Sequence, residues 1–83
     1  MTMTNIGPLN NEGNRHGYWE VCYNSGNPFY KGEYDNGMMI GCWEFYWTNG
    51  NLRSKGLYVN NELAGYWEFY SENGVLETQI FYA

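Results

Sequence analysis

The sequence repeats with a fixed period of 24 residues, and this repeat constrains the fold more than any other feature. The segment WEFYWTNG at residues 43–50 returns as WEFYSENG at residues 67–74, and a third copy, WEVCYNSG, begins at Trp19. The copies align without a gap. The positions identical in all three are Gly17, Gly41 and Gly65; Trp19, Trp43 and Trp67; Glu20, Glu44 and Glu68; Gly26, Gly50 and Gly74; and Tyr34, Tyr58 and Tyr82. A period of this length predicts an array of similar supersecondary units.

Turn dipeptides divide each copy into two short strands. The dipeptides are Ser25-Gly26, Asn36-Gly37, Asn49-Gly50, Asn60-Asn61 and Asn73-Gly74. Their residues tolerate the positive φ angles of two-residue hairpin turns. We therefore predict an all-β fold, a single-layer antiparallel meander of stacked β-hairpins. One domain spans residues 1–83, with repeats at 16–39, 40–63 and 64–83 and a polar N-terminal half-repeat at 1–15 that caps the array.

Two-residue turns fix which residues lie opposite each other. The predicted pairs on one face are Glu20 with Lys31, Glu44 with Lys55 and Glu68 with Gln79. Such cross-strand pairs stabilise a sheet by about 0.2 to 1 kcal/mol each. In this register only Glu68 has no basic residue opposite it.

The other face pairs each large indole with a glycine. Trp19 falls opposite Gly32 and Trp43 opposite Gly56, and the second turns set Gly32 against Gly41. A glycine leaves room for a ring to lie across the neighbouring strand. The third copy departs from this pattern, because Ile80 stands where the glycine would be.

The pattern G-x-W-E-x-x-x-x-x-G, followed by a tyrosine strand and an Asn-Gly turn, resembles the MORN-repeat family. The resemblance covers about residues 8–83 and is strongest to the bacterial variant described as antitoxin-like. It implies repeats that stack as successive hairpins into one elongated sheet, and a non-catalytic protein that binds other proteins. A bacterial or phage inhibitor of this size would fit that implication.

Side-chain alternation predicts one aromatic face and one mixed face. The aromatic face is assigned Trp19, Val21, Tyr23, Tyr30, Tyr34, Met39, Trp43, Phe45, Trp47, Leu52, Tyr58, Leu63, Trp67, Phe69, Leu76, Ile80 and Tyr82. The mixed face is assigned Glu20, Lys31, Glu33, Glu44, Arg53, Lys55, Glu68, Glu77, Gln79, Tyr18, Phe29, Tyr46, Tyr66, Tyr70 and Phe81. The aromatic face forms either a core, through curvature and self-association, or a groove for a ligand.

The last strand, ETQIFYA, is an edge that carries neither lysine nor proline, although natural sheets usually blunt such edges. The candidate partner-binding residues are Ile80, Phe81, Tyr82, Glu68, Tyr66, Tyr70 and Trp47. At the opposite edge, the first strand around Pro8 is blunted by a residue that cannot donate a ladder hydrogen bond. This asymmetry predicts a homodimer through the C-terminal edge.

No arrangement of residues points to catalysis. His16 is the single histidine, and Cys22 and Cys42 are too few for a disulfide framework and lack paired metal-ligand spacing. No glycine-rich phosphate loop precedes a helix. We predict no enzyme activity, no cofactor and no metal.

The net charge of −5 disfavours attachment to nucleic acid or anionic lipid and favours a protein partner with a basic surface. No signal-peptide pattern or long apolar run is present, which indicates a cytoplasmic protein. The leading hypothesis is a small acidic inhibitor or antitoxin-like protein that neutralises a protein partner. Two alternatives remain open: a protein that sequesters a nucleotide-like ligand on its aromatic face, and an architectural self-assembly module.

Overall fold

Seven strands form one sheet in the computed structural model, which describes residues 3–83, with side chains from residue 7 onward. The strands are β1 (Met3–Ile6), β2 (Gly17–Tyr23), β3 (Pro28–Asp35), β4 (Met38–Tyr46), β5 (Leu52–Val59), β6 (Glu62–Tyr70) and β7 (Leu76–Tyr82). Their order in the sheet is their order in the chain, and every neighbouring pair is antiparallel. The molecule measures 41 × 36 × 15 Å, so the sheet is one layer thick. The predicted all-β, single-layer meander is confirmed.

The second turn of each of the first two repeats is the predicted two-residue hairpin. Asn36 (φ 49°) and Gly37 (φ 88°) connect β3 to β4, and Asn60 (φ 48°) and Asn61 (φ 72°) connect β5 to β6. Asparagine and glycine are the residues that adopt this left-handed conformation at low cost. The backbone of these turns therefore explains the dipeptides chosen there.

The first turn of each repeat is longer than two residues. The N–H of Tyr23 donates to the carbonyl of Asn27 at 2.8 Å, and Trp47 and Asn51 are related in the same way at 2.9 Å. A one-residue bulge then leaves Phe29 without a partner and restores the expected register, so that Glu20 still pairs with Lys31. The predicted loop length was wrong, while the charge pairs across these turns are confirmed.

A larger bulge separates consecutive repeats. Between the pairs Lys31–Glu44 and Glu33–Ile40, β3 contributes Gly32 alone and β4 contributes residues 41–43. The same irregularity recurs between β5 and β6. The prediction that Gly32 lies opposite Gly41 was therefore wrong, because Gly41 (φ 71°) instead forms part of the bulge.

Trp43 and Trp67 each lie on a glycine of the strand before them, and Trp19 lies on Gly7, which directly follows β1. A Cβ at Gly32 would be 2.1 Å from Cδ2 of Trp43, and a Cβ at Gly56 would be 2.2 Å from Cδ2 of Trp67. The sequence predicted the opposite direction, with Trp43 lying on Gly56, because it did not anticipate the bulge that carries the ring back over β3. Ile80 departs from the repeat at this position, but Trp67, which pairs with it, lies on Gly56 of β5 instead.

Edge-to-face aromatic contacts join the repeats into one core. We call the alternating series Trp19, Tyr34, Trp43, Tyr58 and Trp67 the Trp–Tyr row. Its successive ring centroids are 5.1–6.2 Å apart at steep angles, which is a favourable geometry for aromatic pairs. Trp43 has no exposed surface and Trp67 has only 2%. The predicted aromatic face is thus the core of a sheet that has no second layer.

Arg15 covers the N-terminal end of the Trp–Tyr row. Its guanidinium lies 4.5 Å from the centroid of Trp19 and donates to the hydroxyls of Tyr30 (2.8 Å) and Tyr34 (3.2 Å). Asn10 and Asn14 attach the preceding loop to the side chain of Asn36 at 2.7 and 2.9 Å. These contacts place residues 7–16 against the first repeat.

The first strand differs from the prediction, because β1 ends at Ile6 and does not contain Pro8. Pro8 instead accepts a hydrogen bond from the indole of Trp19 at 2.8 Å. The predicted cap, residues 1–15, contains β1 and the following loop; residues 1 and 2 lie outside the described part of the chain. Within residues 3–83 the chain has no helix that is long and apolar enough to cross a membrane.

The contact between glycine and indole predicts a large cost for one added methyl group. Gly56→Ala places a Cβ inside van der Waals contact with Trp67, so we expect a loss of about 1 to 3 kcal/mol in the free energy of unfolding. Chemical denaturation measures this loss. Val59→Ala is the control on the same strand, since Val59 is 57% exposed and its replacement costs little. Equal stability of the two variants would contradict the packing argument.

Candidate binding surface

Six polar side chains form a straight row across the face opposite the aromatic core. Pairing places Glu20, Lys31, Glu44, Lys55, Glu68 and Gln79 successively opposite one another from β2 to β7. We call these residues the charge row and the surface that bears them the charged face. Acid and base alternate along the row as far as Glu68. Each lysine therefore has a carboxylate on both neighbouring strands.

Glu68 has the most contacts in the charge row. It accepts hydrogen bonds from the hydroxyl of Tyr70 at 2.9 Å and from the amide of Gln79 at 3.1 Å, and Nζ of Lys55 lies 3.5 Å from its carboxylate. The hydrogen bond from Tyr70, followed by that from Gln79, lowers the pKa of this carboxyl group below its ordinary value. The prediction that Glu68 lacks a basic partner was wrong, because the inter-repeat bulge brings Lys55 opposite it.

Tyr46 occupies the place in the second repeat that Tyr70 has in the third. Its hydroxyl donates to Glu44 at 2.9 Å, and Nζ of Lys31 lies 5.5 Å from its ring centroid. Burial of the hydroxyl and this hydrogen bond raise the pKa of Tyr46 to about 12. Glu44 and Glu68 thus each accept a hydrogen bond from a tyrosine hydroxyl on their own strand.

An apolar strip runs beside the charge row at its C-terminal end. Leu57 is 41% exposed, Phe81 59% and Tyr66 72%, and the rings of Tyr66 and Phe81 are 4.7 Å apart. Leu57 and Tyr66 of the strip, together with the charge row from Lys31 to Gln79, border an open cleft of about 630 Å³. The residues lining it include Tyr18, Lys31, Cys42, Glu44, Lys55, Leu57, Tyr66, Glu68 and Gln79. This cleft is the candidate binding surface.

The aromatic face has a smaller depression of about 300 Å³. Phe29 and Arg53 line it, although alternation assigned both of them to the opposite face. Each is the extra residue of a one-residue bulge, and a bulge turns side chains away from simple alternation. Arg53 lies over the ring of Trp47, with 4.9 Å between its guanidinium carbon and the ring centroid.

The candidate residues from the sequence fall into three groups. Tyr66, Glu68, Tyr70 and Phe81 lie together on the charged face. Ile80 and Tyr82 belong to β7 but pair with Trp67 and Gly65, on the aromatic side. Trp47 is in the turn after β4 and donates its indole N–H to the carbonyl of Tyr70 at 3.1 Å.

Leu57 and Lys55 are parts of the binding surface that were not predicted from the sequence. Alternation from Lys55 places Leu57 on the charged face, so a signal for this residue was present. The position of Lys55 beside Glu68 carried no such signal, because it depends on the bulge between β5 and β6.

Reactive groups are few and dispersed. Cys22 and Cys42 are free thiols, and Sγ of Cys22 is 3.8 Å from the carboxylate of Glu20. The imidazole Nδ1 of His16 accepts a hydrogen bond from the N–H of Asn36 at 3.1 Å. Among the described residues, no group of three or more His, Cys, Asp or Glu side chains could hold a metal ion.

Fold and surface together define a β-hairpin repeat protein whose single sheet has an aromatic core face and a charged face. Residues 15–36, 39–60 and 63–83 each match the model of the MORN repeat variant, and together these matches cover more than half of the chain. The chain belongs to this family, whose repeats generally serve as binding modules without catalytic activity. Curated proteins gave no significant match to the chain.

The raised pKa of Tyr46 predicts a loss of stability in alkali. Between pH 10 and about pH 12 the unfolded chain releases the phenolic proton while the folded protein retains it, so the free energy of unfolding falls as pH rises. Tyr46→Phe removes this contribution, and we expect a shallower decline in urea midpoint over that pH range. An alkaline decline of the same slope in both proteins would contradict the assignment.

Proposed function

We propose that this protein is a non-catalytic binding module that recognises and neutralises a protein partner, as a small acidic inhibitor or antitoxin does. The observation that carries the proposal is the exposed pair Tyr66 and Phe81 beside the fully paired end of the charge row. Contiguous apolar surface with a polar border is characteristic of protein-binding sites.

The composition of this surface suits a binding site between proteins. Tyrosine and phenylalanine are enriched at interfaces, and tyrosine is among the residue types that supply most of the binding energy when a partner buries them. The neighbouring polar groups of Lys55, Glu68 and Gln79 already contact one another. A partner that covers Tyr66 therefore does not leave these groups without hydrogen-bond or ionic partners.

The net charge of the molecule indicates the charge of its partner. With a net charge of −5, the protein attracts basic surfaces over long range and repels nucleic acid and anionic lipid. We therefore propose a protein partner with basic groups around an apolar patch, encountered in the cytoplasm. A homodimer through the C-terminal edge is the competing arrangement, and the mass of the purified protein under native conditions tests it.

A small-ligand function is the second candidate, and the size of the cleft is the observation that favours it. A volume of about 630 Å³ lies within the range of ligand pockets. This moves the candidate ligand site from the aromatic face to the charged face. Two lysines border the cleft, each beside glutamates, so a neutral or zwitterionic aromatic compound suits it better than a phosphate.

Affinity capture followed by native mass spectrometry tests the proposed function. The tagged protein, expressed in its own host, should be recovered with a second protein in fixed stoichiometry. Tyr66→Ala should weaken this complex by about 2 kcal/mol, or roughly thirtyfold, as expected for an interfacial aromatic residue. The side chain of Tyr66 is 72% exposed, so the variant should remain folded.

Val75→Ala provides the matched control, because Val75 is also exposed but lies in the turn before β7. It should retain the partner. If the partner is a toxin, its expression alone should arrest growth, and coexpression of this protein should restore it. A small mass increment without a second protein would favour the ligand candidate, and a bare homo-oligomer would favour the architectural alternative.

A further inference from the structure

The outer side of β7 carries no further strand within the described residues. Within residues 3–83, β7 pairs with β6 on one side, while its repeat equivalents β3 and β5 pair on both sides. Six of the seven residues of β7 are exposed, among them Ile80 and Phe81. An open edge presents backbone N–H and C=O groups in a row, to which another extended segment can hydrogen-bond.

β3 and β5 each receive the following strand with the same two residues. The indole of the following strand lies on a glycine, as Trp67 lies on Gly56. The glutamate of the following strand pairs with a lysine, as Glu68 pairs with Lys55. Gly32 and Lys31 do the same for β4. These two positions therefore specify a strand with the Trp-Glu sequence of the repeat.

Both of these positions differ in β7. Ile80 stands 24 residues after Gly56, and Gln79 stands 24 residues after Lys55. Even a Cβ at the glycine position would meet an incoming ring at about 2.2 Å, and isoleucine adds three further carbons. Gln79 offers no positive charge to an incoming glutamate. A further strand with the Trp-Glu sequence of the repeat therefore does not fit against β7.

The same residues show what kind of strand fits instead. The amide nitrogen of Gln79 donates to Glu68, which leaves the amide oxygen to accept from a donor on an incoming strand. Glu68 and the exposed Glu77 make this end of the sheet acidic. Ile80 and Phe81 present apolar surface on the two opposite faces of β7.

Building on the proposed function, we infer that the edge of β7 binds an extended strand of the protein partner that carries Lys or Arg opposite Gln79. The residues of that strand opposite Ile80 and Phe81 are apolar and smaller than tryptophan. A second copy of this chain fits less well, because it brings a further net charge of −5 and the same glutamates to the edge.

Peptide titration followed by amide NMR shifts tests the inference. The probe is the blocked heptapeptide TTVVKTT, and its acidic counterpart is TTVVETT. The basic peptide should bind at least about fivefold tighter, because opposite charges across strands attract and like charges repel. The shifted amides should belong to residues 76–82 and their neighbours on β6. Equal affinities, no binding, or shifts elsewhere would overturn the inference.

Two variants of β7 test the role of its side chains. Gln79→Lys restores the residue type found in β3 and β5 and should reverse the preference toward the acidic peptide. The double variant Gln79→Lys, Ile80→Gly should bind the peptide ELAGYWEFY, which has the sequence of β6, while the original protein should not. Leu9→Lys, an exposed control remote from β7 in the sheet, should leave all preferences unchanged. Binding of the β6 peptide by the original protein would refute the exclusion argument.

The partner complex separates this inference from the proposed function. Loss of the complex in both Tyr66→Ala and Gln79→Lys supports edge binding. A complex that survives Gln79→Lys but not Tyr66→Ala overturns the edge inference and keeps the protein-binding function. A native mass of two copies that becomes one in Ile80→Lys would instead assign the edge to a second copy and refute the inference.

Discussion

The contact of an indole with a glycine backbone is the interaction on which this structure depends. A sheet of one layer has no opposing layer to cover its apolar face, so its core must form between neighbouring strands. Trp43 achieves this by lying flat on Gly32, with tyrosine rings on either side of it. The ring is completely buried in a molecule only 15 Å thick. Glycine is required there because its backbone is itself the surface that the ring covers.

The bulge that places the indole on the glycine also determines which charged residues pair on the opposite face. Without the bulge at Gly32, the two-residue turn would place Lys31 opposite Cys42. The bulge advances β4 by two residues and brings Glu44 to that position instead. One irregularity therefore serves both faces, since it carries the ring back over β3 and aligns the charge row. The ion pair of Lys55 and Glu68 depends on packing that takes place on the other side of the sheet.

The period, the turn residues and the alternation of side chains were sufficient to predict the meander and the charge pairs inside each repeat. They were not sufficient for the pairing between repeats, because turn type fixes register only when no bulge follows. Gly41 and Gly65 were the available signal, since an isolated glycine within a strand marks a bulge or a close backbone approach. The cleft was missed for the same reason, although Tyr66 and Phe81 were identified from their place near the open edge.

The contacts of each strand with only its neighbours in sequence have a consequence for how such a chain can change in length. Each of the first two 24-residue copies contributes a glycine on which an indole lies, a tryptophan, a lysine and a glutamate, all at the same relative positions. Duplication or loss of such an internal unit would therefore preserve both rows and both ends, including Arg15 and β7. The residues of the edge strands can change to suit a partner, whereas the number of internal strands changes only by whole 24-residue units. The length of the sheet and the binding specificity of its edge can therefore change independently.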